Sequence, residues 1–215
     1  MTSNRKYLIV INFYQVKIKY QIILRRVLLI ASIIMGLSVA AMLVSCEPAI
    51  EPHRQFFIPK GDHYSFPKLS ENLQSEKLEF QARFNESAKY DFGDLSIQSD
   101  KNKLMGFCDC NSLPHDNSAR FAWQWYNNRL EIYAYCYVNG ARQEQFIGVV
   151  GINEYSHYEI SISGNQYIFR LNDQAPVYMK RGSSCSTGFY FKLWPYFGGH
   201  VAAPHDVTID IKTIY

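Results

Sequence analysis

Acidic residues are absent from the first 45 positions, which hold six of the 22 lysines and arginines and none of the 19 aspartates and glutamates. The rest of the chain therefore carries 16 basic and 19 acidic side chains, a formal charge of −3. A mildly acidic chain lacks the basic surface that binds phosphate backbones, which excludes DNA or RNA as a partner. The basic character of the whole sequence belongs to its leader.

Helical periodicity, internal repeats and low-complexity tracts are also missing after Cys46. About 170 residues remain there, enough for one domain with a core and too few for two. Sixteen tyrosines and 14 phenylalanines, with many Asn and Gly turns, favour strands over helices. Short strands separated by turns predict an all-β domain over residues 63–215, a jelly-roll or related two-sheet β-sandwich.

The leader ends in an apolar run that follows Arg25-Arg26 and stops at Cys46. Its last residues, Leu43-Val44-Ser45-Cys46, resemble the bacterial lipobox. That resemblance implies a signal peptide over 1–45, lipidation of Cys46 and a membrane anchor, and Glu47 after the cysteine implies the outer membrane without fixing its side. An uncleaved N-terminal anchor helix is the alternative. The long stretch before Arg25 indicates an over-long start, and 46–62, rich in proline, predicts a tether.

The clearest local signal is a hairpin over Asn117–Gly140 with tight turns at Asn127-Asn128 and Asn139-Gly140. Because strand side chains alternate, a two-residue first turn fixes the register and both faces. The core-facing pairs are Trp125-Leu130, Trp123-Ile132, Phe121-Ala134 and Ala119-Cys136. The opposite face carries Gln124-Glu131, Ala122-Tyr133, Arg120-Tyr135 and Ser118-Tyr137. A two-residue second turn adds Phe146 to that opposite face, whereas a three-residue loop with a bulge sends it to the core.

The side chains predicted to bind a ligand share this second face, which we call the tyrosine face. They are Arg120, Gln124, Glu131, Tyr133, Tyr135 and Tyr137. Flat phenol rings stack on sugar rings, and the polar neighbours can hydrogen-bond hydroxyl groups. The alternative is that the tyrosines simply line a sandwich core or cover a sheet exterior.

Two other clusters are candidates for chemistry. His200, His205 and Asp206 lie in a turn-rich loop and could add a base or a cation site beside a cleft, although such loops often only pack over a sheet end.

The cysteines Cys108, Cys110, Cys136 and Cys185 predict at least one disulfide, from Cys108 or Cys110 to Cys136 or Cys185. A zinc site at Cys108-X-Cys110 with His115 and Asp116 has unsuitable spacing. We therefore expect no metal and no cofactor.

The order of segments resembles the concanavalin A-like lectin and glucanase superfamily over residues 76–215: KLEFQARF, the central hairpin, YEISISGNQYIFRLND and HDVTIDI. The segments DKNKLMGF, NSARFAWQW and KLWPYFGGHVAAPHDVTI also resemble envelope lipoproteins of Gram-negative bacteria. The superfamily resemblance implies a concave sheet that holds glycans. The alternating catalytic carboxylates of its glucanases are missing, because Tyr133 and Tyr135 follow Glu131, and the motifs of its alginate lyases are missing as well.

The resulting prediction is a lipid-anchored envelope protein that binds carbohydrate without catalysis. The first alternative is a polysaccharide lyase or glycoside hydrolase that uses Arg120, Tyr135 and a loop histidine. The second is a structural or partner-binding subunit of an envelope complex, for which protein contacts should cover the tyrosine face.

Overall fold

The computed structural model describes residues 25–26, 28–29, 53–182 and 190–214. Contacts divide the chain into two compact units, residues 1–47 and 48–215. In the first unit Arg25, Arg26, Leu28 and Leu29 are helical. Among the described residues, no helix combines the length and the apolar character that a membrane crossing needs. The rest of the predicted signal peptide, including the lipobox and Cys46, lies outside the described residues.

The second unit is a jelly-roll β-sandwich of two antiparallel six-stranded sheets, which confirms the predicted fold class. The first sheet has the spatial order β1 (Arg54–Ile58), β12 (Val207–Ile214), β3 (Lys77–Phe84), β8 (Tyr155–Ser163), β9 (Gln166–Leu171) and β10 (Val177–Lys180). The second has the order β2 (Asn72–Leu73), β11 (Tyr190–Leu193), β4 (Asn102–Cys108), β5 (Ser118–Tyr126), β6 (Arg129–Val138) and β7 (Ala141–Val150). A 3-10 turn (Glu86–Ala88) and one short helix, α1 (Leu95–Gln98), complete the described elements.

Aromatic rings from both sheets form the core between them. Phe121 of β5 meets the rings of Phe80, Tyr158 and Phe169 at centroid distances of 6.0, 5.0 and 5.2 Å. These three partners belong to β3, β8 and β9 of the first sheet, so ring packing across the sandwich joins the two layers. Each ring of this size buries a large apolar area, which is the main favourable term for such a core.

One predicted boundary needs correction. Residues 46–62 are expected to form a tether, yet Arg54–Ile58 is the edge strand β1, paired with β12. Its alternate side chains Phe56 and Ile58 are fully buried. The prolines on either side of this segment mark its ends, and the buried alternate positions between them make it a strand.

The central hairpin has the predicted register at every position from Ser118–Tyr137 to Tyr126–Arg129. Asn127 and Asn128 have φ of +48° and +57°, the left-handed conformation that a two-residue hairpin turn of this kind requires. The second turn is also two residues long and sets Phe146 opposite Tyr133, and a bulge follows only beyond this pair, between Tyr133 and Ile132. Of the two open alternatives for Phe146, the tyrosine face is therefore correct.

Candidate functional site

The tyrosine face is the outer face of the second sheet. The opposite face of the hairpin points into the core, where Trp123 is fully buried and Trp125 half-buried. The tyrosines are thus not the filling between the sheets. Tyr133 and Tyr137 are half-buried, and Phe146 is 45% exposed.

Three of the six predicted ligand-binding residues are less accessible than the sequence suggests. Tyr135, Gln124 and Glu131 are only 4%, 2% and 3% exposed. The reason is that long side chains on the same face pack over them, which period-two alternation cannot reveal. In this structure they hold their neighbours in place, while Tyr133 and Tyr137 offer accessible ring surface.

Glu131 is the centre of a hydrogen-bond network. Its Oε2 accepts hydrogen bonds from Gln124 Nε2 at 2.8 Å and from the Tyr133 hydroxyl at 2.6 Å. Its Oε1 accepts from Arg129 Nε at 2.8 Å. Burial pushes the pKa of Glu131 upward, but the hydrogen bonds from Tyr133, Gln124 and Arg129 outweigh it and hold the pKa below its usual value. Glu131 is therefore an ionised, fully engaged acceptor and a poor proton donor.

Two lysines from β4 and the residue before it lie on the tyrosine face and were missed by the sequence analysis. Lys101 Nζ lies 4.3 Å from the Tyr133 ring centroid and donates to Gln124 Oε1 at 3.0 Å. Lys103 Nζ lies 5.2 Å from the Tyr135 ring centroid. Both ammonium groups therefore sit over phenol rings, an attractive cation–π geometry. The sequence DKNKLMGF contains the signal that could have revealed them, because two lysines spaced two residues apart in a strand point to the same face.

The Lys103 ammonium group is almost fully enclosed, with 9% of the residue exposed. It donates hydrogen bonds to the carbonyl oxygens of Lys101 and Gly198, at 2.8 and 2.9 Å. Burial, helped by the nearby charge of Arg120, lowers the pKa of Lys103 to about 8. This amine is thus close to its titration point under mildly alkaline conditions.

Arg120 lies across β4 because Gly106 has no side chain. A Cβ at position 106 would stand 2.5 Å from Arg120 Cα and 2.7 Å from its Cγ. In the space that glycine leaves, Arg120 Nη2 reaches the carbonyl oxygen of Trp194 at 3.1 Å. Its Nε is buried and has no hydrogen-bond partner within the described part of the chain. Burial lowers the pKa of Arg120 to about 10.

A cavity of about 620 Å³ opens beside these groups. Its ionisable lining residues are Asp100, Lys101, Arg142, Glu144 and His200. Arg142 and Glu144 are on β7, directly opposite Tyr137 and Tyr135 of β6. The cavity therefore belongs to the tyrosine face.

The three loop residues predicted to contribute to the site, His200, His205 and Asp206, lie in two different places. The side chain of His200 is 95% exposed and borders the cavity, and its backbone N–H donates to Asp100 Oδ2 at 3.0 Å. His205 Nε2 lies 2.9 Å from the carbonyl oxygen of Ser87, and Asp206 Oδ1 accepts from the backbone N–H of Lys60. The structure therefore places His205 and Asp206 just before β12 of the first sheet and does not bring them to the tyrosine face.

Of the four candidate cysteines, Cys110 is disulfide-bonded, whereas Cys108 and Cys136 are free and buried. Cys185 lies outside the described residues. A disulfide removes Cys110 as a thiolate ligand, and nowhere in residues 53–182 or 190–214 do three metal-ligating side chains converge. His115 instead contacts the Tyr137 ring at 5.0 Å between centroids.

Comparisons with known proteins agree on the fold alone. No family model matches the chain, and no curated protein matches its sequence. Among solved structures, alginate lyase AlyC3 has a TM-score of 0.50 at 12% identity, covering 80% of this chain and 77% of that one. LamAcat from Zobellia galactanivorans has a TM-score of 0.49 at 10% identity, and the match covers 77% of this chain and 78% of that one. The GH16 endo-β-1,3(4)-glucanase SCLam has a TM-score of 0.45 at 9% identity, and the match covers 67% of this chain and 58% of that one. The match to AlyC3 agrees with the expected jelly-roll β-sandwich fold.

Proposed function

We propose that this chain is a lipid-anchored protein of the bacterial cell envelope that binds a carbohydrate chain on its tyrosine face without cleaving it. The observation that carries the proposal is that accessible rings share one sheet face with charged side chains, of which Lys101, Arg142 and Glu144 line a cavity on that face. Tyr133 and Phe146 form an edge-to-face pair at 5.5 Å, and Tyr137 continues the aromatic surface. Such rings stack on the apolar faces of sugars, while nearby charges orient polar substituents.

The balance of charges favours an acidic glycan. Four cations, Lys101, Lys103, Arg120 and Arg142, surround the covered ring of Tyr135 and the cavity. Two carboxylates, Asp100 and Glu144, border the same cavity, and the third carboxylate of the face, Glu131, is already neutralised by Arg129. A net positive site in a domain predicted to be negative overall attracts ligands that carry carboxylates.

Two further observations support parts of the proposal. AlyC3, which has this fold, acts on a polysaccharide according to its name. The lipobox-like ending at Cys46 supports the anchor and the envelope address, with the outer membrane as the proposed location. Labelling cells with a radioactive fatty acid tests the anchor: the native chain should incorporate label, and Cys46→Ser should not.

The state of the carboxylates on the central strand argues against hydrolysis. Retaining glycosidases need two carboxyl groups about 5 Å apart, one of them able to donate a proton. Glu131 is held ionised by its hydrogen bonds, and the next positions on its side of β6 are Tyr133 and Tyr135. The central strand therefore lacks the pair that hydrolysis requires.

The test uses the full-length chain in detergent and affinity gels that contain alginate, polygalacturonate, hyaluronan or the neutral glucan laminarin. We expect retention by at least one acidic polymer and weaker retention by laminarin. Tyr137→Ala should weaken that binding about fivefold, because one aromatic contact contributes roughly 1 kcal/mol. Tyr178→Ala is the matched control, since Tyr178 is 53% exposed on β10 of the first sheet. Equal retention of both variants would remove the tyrosine face as the binding site.

A polysaccharide lyase is the second candidate, and the pKa of Lys103 favours it. The neutral amine of Lys103, with a pKa of about 8, would take a proton from the carbon beside a uronate carboxylate. The electron pair of that C–H bond would form a double bond as the glycosidic oxygen on the next carbon leaves and takes a proton from solvent. Incubation with the acidic polymers should then raise the ultraviolet absorbance as unsaturated ends form, and Lys103→Met should abolish the rise. Flat absorbance with every polymer of the panel would leave binding alone.

A further inference from the structure

A short segment before β2, residues 62–68, exposes aromatic side chains next to the tyrosine face. We call this segment the aromatic arm. Tyr64 and Phe66 are 58% and 44% exposed, respectively. The Lys68 ammonium lies 5.6 Å from the Tyr64 ring centroid and 5.3 Å from that of Phe66. A cluster of exposed aromatic side chains indicates a ligand-binding or interaction surface, whereas single exposed ones are common on any protein.

The backbone of the arm is held in place by several hydrogen bonds. Asp62 Oδ1 accepts from the N–H groups of His63 and Tyr64, at 2.7 and 3.0 Å. Phe66 and Phe57 of β1 exchange two backbone hydrogen bonds of 2.8 Å. The rings are therefore held by an ordered backbone, so ordering them on ligand binding would cost little conformational entropy.

Tyr196 connects the arm to the tyrosine face. Its ring meets the Tyr64 ring edge to face at 5.1 Å and stacks on His63 at 5.3 Å. Its backbone exchanges two hydrogen bonds with Lys103, of 2.8 and 3.0 Å. The Lys103 ammonium lies 5.8 Å from the Tyr196 ring and 5.2 Å from the Tyr135 ring. A chain of contacts therefore connects the covered Tyr135 ring, through Lys103 and Tyr196, to the arm.

We propose that the aromatic arm is an outer subsite, which holds the part of an acidic glycan chain that extends beyond the tyrosine face. This inference rests on the proposed function. We assign the occupant as a carbohydrate chain because the exposed rings stand among Asp62 and Lys68, and these residue types are depleted in the cores of protein interfaces. Lys68, placed over both rings, would pair with an anionic substituent of the sugar stacked there.

An outer subsite makes affinity depend on ligand length. The experiment measures binding of the full-length chain to the tightest-binding acidic polymer of the panel above and to its own trisaccharide, by calorimetry. The double variant Tyr64→Ala/Phe66→Ala should bind the polymer about 25-fold more weakly, because each of the two lost stacking contacts contributes about fivefold. The trisaccharide, which occupies the tyrosine face, should bind within twofold of the native affinity. Tyr178→Ala should leave both affinities unchanged.

The outcomes separate this inference from the proposed function. Unchanged polymer affinity in the double variant, with a loss for Tyr137→Ala, would overturn the outer subsite and keep the tyrosine face. Equal losses for polymer and trisaccharide would also overturn it, because the arm would then act by disturbing the tyrosine face. A native chain that binds no member of the panel would instead refute the proposed function. Circular dichroism of each variant verifies that the sandwich is folded.

Discussion

Replacing Arg181 with methionine should strongly destabilise the sandwich. Asp109 directly follows β4 of the second sheet, and Arg181 directly follows β10 of the first. The two side chains are 0% and 7% exposed and joined by two hydrogen bonds, of 2.6 Å from Nε and 2.9 Å from Nη2. Tyr167 of β9 donates a third, of 2.6 Å. This buried ion pair therefore ties the two sheets together at one end.

The magnitude follows from what remains around the carboxylate. Without the guanidinium, Asp109 keeps hydrogen bonds from the Tyr167 hydroxyl and the Cys110 N–H but loses its compensating charge. Leaving one charge of a buried pair uncompensated costs about 3–5 kcal/mol. That is a large fraction of the 5–15 kcal/mol that holds a typical domain folded. In the double variant Asp109→Leu/Arg181→Met no buried charge remains, so we expect it to be more stable than Arg181→Met alone.

Urea unfolding followed by tryptophan fluorescence measures the change in the free energy of unfolding. The control is Arg170→Met, because Arg170 pairs with Glu159 at 2.6 Å but its side chain is 42% exposed. Such a surface pair should contribute about 0–1 kcal/mol. A loss below about 1 kcal/mol in Arg181→Met would refute the reasoning. Equal losses in Arg181→Met and Arg170→Met would show that burial does not set the strength of these pairs.

Three further predictions concern the hairpin and the tyrosine face. Burial lowers the pKa of Lys103 in the folded chain to about 8, from an ordinary value of 10.5, so the unfolded state binds more protons between these two pH values. The free energy of unfolding should therefore rise across that pH range in urea titrations, and Lys103→Met should abolish the rise. Asn128→Ala should lower the unfolding free energy by about 1 kcal/mol because of its positive φ, whereas Asn128→Gly should not, as measured by the urea midpoint. Gly106→Ala places a methyl group 2.1 Å from the Ala119 carbonyl oxygen and should cost about 1–3 kcal/mol in the same assay; a native midpoint would contradict the packing described for Arg120.

The central hairpin could be predicted from sequence because its information is local. Two asparagines in a two-residue turn fix which residues pair, and alternation then assigns each side chain to a face. For this reason all nine pairs between Ser118–Tyr137 and Tyr126–Arg129 agree with the structure. The second turn, Asn139-Gly140, is equally local, but the sequence leaves two lengths open for it, and the structure selects the two-residue turn that places Phe146 opposite Tyr133.

The accessibility of the site could not be predicted, because it depends on residues distant in sequence. Tyr135 is covered by groups such as Lys103, which comes from another strand. His205 and Asp206 are close to His200 in sequence, yet the chain turns toward β12 and separates them from the cavity. Strand β1 was missed for a similar reason, since its pairing partner, β12, is at the other end of the chain.

The burial of cations on the tyrosine face is hard to explain by stability alone. The Lys103 ammonium is held by two neutral carbonyl groups, and Arg120 Nε is buried without a partner in the described residues. A buried charge that lacks a paired counter-charge costs folding free energy, and an apolar side chain in its place would avoid that cost. An anionic ligand on this face would supply the missing counter-charge, so part of the folding cost would return as binding energy. The same arrangement explains why a neutral glycan should bind more weakly, since it could stack on the rings but would leave both cations uncompensated.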